Sequence, residues 1–155
     1  MDRSRIYFWI SIILPLAILL GTAVFLALCW KDLPAKIPSN VSLSGEVTGW
    51  SGKGMLWIFP GLGILTEIIM TAVGFFPQTW NPGVKITPAN RDRVYRLMGE
   101  LLGDLRIGFA VLFCAITVWI VRLTSGPGWL FTLLIIVSIV VPMLRYFLRL
   151  YVFKG

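Results

Sequence analysis

The chain has 155 residues, 57% of them hydrophobic and only 14% charged, with a net charge of +7. Soluble domains run nearer about 45–50% apolar and about 25% charged, and so small a soluble fold has no interior large enough for the surplus. The composition points to a bilayer as solvent, so the basic excess is read first against membrane orientation and no nucleic-acid partner is expected. There is no histidine, which removes the commonest general base and metal ligand at neutral pH.

In chain order, the first predicted element is a membrane helix over Ile6–Trp30, 25 residues without a charge. About 20 apolar residues suffice to span. Asp2-Arg3-Ser4-Arg5 resembles the basic start of a signal peptide, but the apolar run is far longer than the roughly 7–15 residues of a cleavable core. Leu28, directly before Cys29, spoils a lipoprotein cleavage site. The reading is a retained signal-anchor helix.

Residues 31–54 follow as a polar loop rich in proline, glycine and serine. A second span is expected over about residues 55–76, interrupted by Pro60 and carrying Glu67 about a dozen residues in. At ~1.5 Å per residue that acid lies near the midplane. Residues 77–104 form the next connection, turn-rich around Asn81-Pro82-Gly83. Thr87-Pro88 reads as a helix cap with proline at the first helical position. The stretch after it places Val94, Leu97, Met98, Leu101, Leu102 and Leu105 on one face at helical spacing. That predicts an amphipathic helix leading into a third span over 105–123: either an interfacial helix or the solvated start of one long helix. The fourth span is expected over 129–147. Pro15, Pro60 and Pro142 lie inside spans, where neighbouring helices can satisfy the freed carbonyls.

Basic residues set the direction. With the N-terminus inside, Arg3, Arg5, Lys85, Arg91, Arg93, Arg96, Arg106, Arg145, Arg149 and Lys154 face the cytoplasm, against Lys31, Lys36, Lys53 and Arg122 outside. The positive-inside rule favours this arrangement, with both termini cytoplasmic and the 31–54 loop outside. Trp30, Trp50, Trp57, Trp119 and Trp129 then fall near the outer boundary. Trp9, Trp80, Tyr7, Tyr95, Tyr146 and Tyr151 fall near the inner one, as interfacial belts require. Cys29 and Cys114 differ in depth by about 10–14 Å, too far for a disulfide, and they make no zinc-site spacing. The expected fold is therefore all-α: a single four-helix integral membrane domain of the cell (inner) membrane.

Glu67 is the one acid inside a span. An ionised carboxylate there costs several kcal/mol (about 2.5–3.5 on insertion scales) unless paired or hydrated. It reads either as a proton or cation site or as packing glue, including as a partner for Arg106 reaching in from the inner side. Arg106, Arg122 and Arg145 near span ends could equally snorkel to headgroups. Pro60-Gly61-Leu62-Gly63 offers a kink near the acid or close helix packing, and Gly99 with Gly103 a similar packing groove. Arg96 and Glu100, four apart, can pair. No Ser/His/Asp set, phosphate loop or acid cluster is present. No catalytic residue, cofactor or metal is expected, and the chain reads as a non-enzyme.

The loop LPAKIPSNVSLSGEVTGWSGK resembles the first extracytoplasmic loop of a bacterial and archaeal membrane domain family found at the N-terminus of SdpI-like immunity proteins, which protect a cell from its own killing peptide. Leu33-Pro34, Ile37-Pro38, Gly45, Trp50 and Lys53 fit the family pattern, and the resemblance runs over about residues 31–76. Asn40 stands where the family usually has histidine and Thr48 where it has aspartate, so the resemblance implies contact chemistry here rather than metal or acid–base chemistry. It further implies an accessory, immunity or signalling role. Asn40, Gly45, Trp50 and Lys53 would be outer contacts for a peptide or protein partner, and Pro34, Pro38 and Pro60 would shape the loop and the helix after it. A regulator would meet the basic helix 91–106 in the cytoplasm. Two alternatives stand beside this: the loop as a plain cap over the bundle, and a small homo-oligomeric transporter or channel subunit with Glu67 as its coupling group.

Overall fold

The computed structural model describes residues 3–42, 44–122 and 129–152. Lys154, the expected end of the third span at Leu123 and the connection 124–128 lie outside the described residues. Four helical runs are long and apolar enough to cross a membrane. The first is α1 (Arg3–Cys29), followed by a two-stranded antiparallel hairpin of β1 (Lys36–Val41) and β2 (Val47–Gly52). A 3-10 turn over Lys53–Trp57 leads into α2 (Ile58–Phe75), and α3 (Arg91–Val121) comes next. The last run comprises α4 (Trp129–Ile135), wider turns over Ile136–Val140, α5 (Val141–Phe147) and wider turns again over Leu148–Val152.

The helical spans follow the sequence reading, but the all-α expectation needs correction at the 31–54 loop, which forms a hairpin. Its register explains why the pattern was hard to see. Pro38 pairs with Trp50, while Asn40 pairs with Gly49, so β1 bulges by one residue at Ser39. A bulge breaks the simple two-residue alternation that marks a strand.

α3 is the hub. It packs along α1, along α2 and along the fourth run. Small residues set the closest approaches. A side chain at Gly103 would strike Tyr7 and Ser11 of α1, and one at Gly108 would strike the backbone of Ser138. Pro142 cannot donate to the carbonyl of Ser138 four residues earlier. The chain widens its turns there, and Gly108 lets the two backbones meet. Of the glycines expected to pack, Gly63 meets Leu19 and Phe113, whereas Gly61 and Gly99 meet open space.

Two apolar clusters close the ends of the bundle. At the hairpin end, Leu26, Leu33, Ile37, Leu56 and Ile120 are buried together. At the far end, Val94 and Leu97 pack on Tyr146 and Leu150, with Val84, Met98 and Leu101 around them. The apolar face of the expected amphipathic helix is thus covered by the fourth run. The segment is the first part of one continuous helix that runs into the third span without a break. It also begins later than Thr87-Pro88 indicated. Asn90 precedes α3, and its Oδ1 accepts the Thr87 N–H at 2.8 Å instead of capping the helix.

Charges at this end are paired differently from the sequence expectation. Glu100 and Asp104 turn to the fourth run: Arg145 Nη1 lies 2.7 Å from Asp104 Oδ2, and Arg149 bonds Glu100. Tyr7 of α1 donates to Asp104 at 2.5 Å. Arg96, expected to pair with Glu100, has no carboxylate partner among the described residues.

Candidate functional site

The hairpin is built from its turn outward. Gly45 has φ +92°, the left-handed region that favours glycine. Ser42 closes the turn: its N–H donates to the Glu46 carbonyl at 2.8 Å, and its Oγ accepts the Glu46 N–H at 3.0 Å. Gly45 is therefore committed to backbone geometry. Asn40 is exposed and lies over Gly49, whose missing side chain leaves room for the Asn40 amide.

The two faces of the hairpin differ in kind. Ile37 is fully buried in the cluster formed by the ends of α1, α2 and α3. Trp50, opposite Pro38 on the other face, is 61% exposed. Pro34 is exposed in the approach to β1 and Pro38 half-buried. Pro60 is buried in the first turn of α2, where a missing N–H costs no helical bond.

Lys53 serves the scaffold. Its ammonium donates to the Trp30 carbonyl at 2.9 Å and the Leu33 carbonyl at 3.4 Å, and sits 4.8 Å from the centre of the Trp30 ring. α1 has no basic residue in its last turn. Lys53 supplies that positive charge from across the loop, where a cation is favoured by the helix dipole and by the indole face. Trp30 in turn leans on Trp57, with ring centres 5.9 Å apart. The lysine therefore locks the hairpin to the helix that precedes it. Sequence spacing could not show this, because the two residues are brought together only by the hairpin's return.

The second polar feature lies inside the bundle. Glu67 and Arg106 are 5% and 2% exposed, with Arg106 Nε 3.9 Å from Glu67 Oε1. Arg106 Nη2 donates to the Met70 carbonyl at 2.7 Å, and Thr71 donates to Glu67 Oε1 at 3.1 Å. Among the described residues, Arg106 Nε itself has no hydrogen-bond partner. A Cβ at Gly74 would lie 3.0 Å from Arg106 Nη2, so that glycine makes the space the guanidinium fills. Arg106 does not snorkel. It bridges α3 to α2, the pairing that the sequence left open beside a proton or cation site. Cys29 and Cys114 are free thiols.

Residues 17–64 match the family model described as a domain of unknown function (DUF1648). The match covers about a third of the chain. It spans the second half of α1, the whole hairpin, the 3-10 turn and the start of α2. The DUF1648 segment thus holds Pro34, Pro38, Asn40, Gly45, Trp50, Lys53 and Pro60, and stops short of Glu67. Neither the curated proteins nor the solved structures gave a match. Among the described residues, no cluster of Cys, Asp or Glu is arranged to hold a metal ion.

Proposed function

We propose that the chain is a non-enzymatic accessory protein of the cell membrane, with both termini cytoplasmic and the hairpin outside as the surface that meets a peptide or protein. In this it would resemble the SdpI-like immunity and signalling proteins. The observation that carries the proposal is the asymmetry of the hairpin. One face is pinned to the helix ends by Ile37 and Lys53, while Trp50 stands exposed on the other. An exposed tryptophan on an anchored hairpin is the kind of residue that dominates recognition energetics. The distribution of basic residues supports the orientation.

The test is survival of cells exposed to a peptide toxin. Trp50→Ala and Asn40→Ala, at expression equal to wild type, should lower protection by about tenfold, the effect of losing about 1.4 kcal/mol of contact. Unchanged protection overturns the contact role. Lys53 is excluded from this test because its replacement would loosen the hairpin itself.

The rival, a transporter or channel subunit coupled through Glu67, is disfavoured by the engagement of that carboxylate with Arg106 and Thr71. In liposomes, neither wild type nor Glu67→Gln is expected to conduct protons or cations. Flux in wild type that disappears in Glu67→Gln would establish the rival instead.

A further inference from the structure

At the end of the bundle away from the hairpin, a cleft of about 1290 Å³ opens between the start of α1, the residues just after α2 and the first turns of α3, with the fourth run as its far wall. That is larger than the ~300–1,000 Å³ of common small-molecule pockets. Its composition changes across its width. Ile6, Phe8 and Ile10 give it an apolar side, and Trp80 and Tyr95 stand beside each other with ring centres 6.0 Å apart. Gly99 lies in the lining with open space where a side chain would be.

The charges divide in two. On the far wall Arg145 and Arg149 are already bonded to Glu100 and Asp104. Arg91 and Arg96, on α3, have no carboxylate partner among the described residues, and Arg91 lies 5.8 Å from the centre of the Tyr95 ring. Asp92 also lines the cleft; with Glu100 and Asp104 it makes three acids against Arg91, Arg96, Arg145 and Arg149, which leaves one positive charge in excess.

We propose that this cleft is a binding site for one anionic phospholipid, its phosphate held by Arg91 and Arg96 and its acyl chain laid along Ile6, Phe8 and Ile10. Guanidinium groups match phosphate geometry bidentately. Trp and Tyr belong at the headgroup level, and basic residues there favour anionic lipid. An apolar wall beside the cations distinguishes a lipid from a soluble phosphate, which would have no use for it. This inference is independent of the role given to the hairpin.

Native mass spectrometry of the purified full chain from mixed micelles tests it, with phosphatidylglycerol and phosphatidylcholine at equal amounts. Wild type should retain phosphatidylglycerol roughly thirtyfold over phosphatidylcholine, the preference expected from two basic side chains near the surface. Arg91→Gln combined with Arg96→Gln should lose that preference. Gly99→Trp, which fills the cleft and keeps every charge, should lose bound lipid of both kinds. Equal retention of the two lipids by wild type, or unchanged retention in both variants, overturns the proposal. So does displacement of the lipid by millimolar glycerol phosphate, which would mark a site for soluble phosphate.

Discussion

Arg106 is the most deeply buried charged residue among the described residues. It follows Asp104-Leu105 at the edge of an uncharged stretch, a position from which arginines commonly reach headgroups. In the fold it turns inward, because Glu67, the Met70 carbonyl and the gap at Gly74 await it. Removing one member of a buried ion pair strands the other and costs about 3–5 kcal/mol, whereas replacing both by apolar residues is often neutral. Glu67→Leu and Arg106→Met should therefore each lower the thermal midpoint in detergent sharply, while the double variant recovers most of the loss. Additive losses in the double variant would show that the two side chains act separately. That Glu67 required a partner was legible from its depth in an apolar span. The partner was one of two options for Arg106, since only packing decides which face of α3 meets α2.

Among the elements, the hairpin and the fourth run depended most on contacts distant in sequence. Among the described residues of the hairpin, Ile37 is the deep anchor, fully buried among residues of three helices. Truncating a buried isoleucine costs about 2–5 kcal/mol. Ile37→Ala is expected to release the hairpin locally, seen as faster amide exchange over residues 36–52 with little change in α3. Unaltered exchange there would mean that Lys53 and the strand pairing hold the hairpin without it. Against the fourth run the critical position is Gly108, where an added side chain would collide with the backbone of Ser138. Overpacking of this kind costs about 1–3 kcal/mol. Gly108→Val should lower the thermal midpoint, whereas Gly61→Ala, facing open space, should not; equal effects would remove the special role of that contact. The wider turns over Ile136–Val140 had no sequence signature beyond Pro142, because a proline marks a missing hydrogen bond but not how the helix adapts.

For the whole molecule, the proposed direction of insertion rests on charge alone and is open to direct measurement. With Cys29 and Cys114 replaced by serine, Glu46→Cys in the hairpin turn and Lys85→Cys in the opposite connection report the two sides. A membrane-impermeant maleimide should label Glu46→Cys in intact cells, and Lys85→Cys only after lysis. The reverse pattern would invert the topology. The DUF1648 match adds a structural unit to this picture. Its residues form a rod ending in a cap, and the remaining helices supply what that unit lacks. α3 contributes Ile120 to the cap's cluster and Arg106 to α2.

By itself the sequence determined the solvent and the spans, because runs of uncharged residues of sufficient length have no stable place except a bilayer or a buried core. It also pointed to turns in the loop between the first two spans, since proline fixes φ and glycine admits the positive-φ conformations that tight turns need. Tertiary structure alone decided that the loop would pair as strands, that Lys53 would cap α1, and that Glu100 and Asp104 would face Arg145 and Arg149. Local periodicity reports which face of an element is apolar. Which charged or aromatic group arrives opposite that face depends on chain returns over many residues, and only the folded packing sets them.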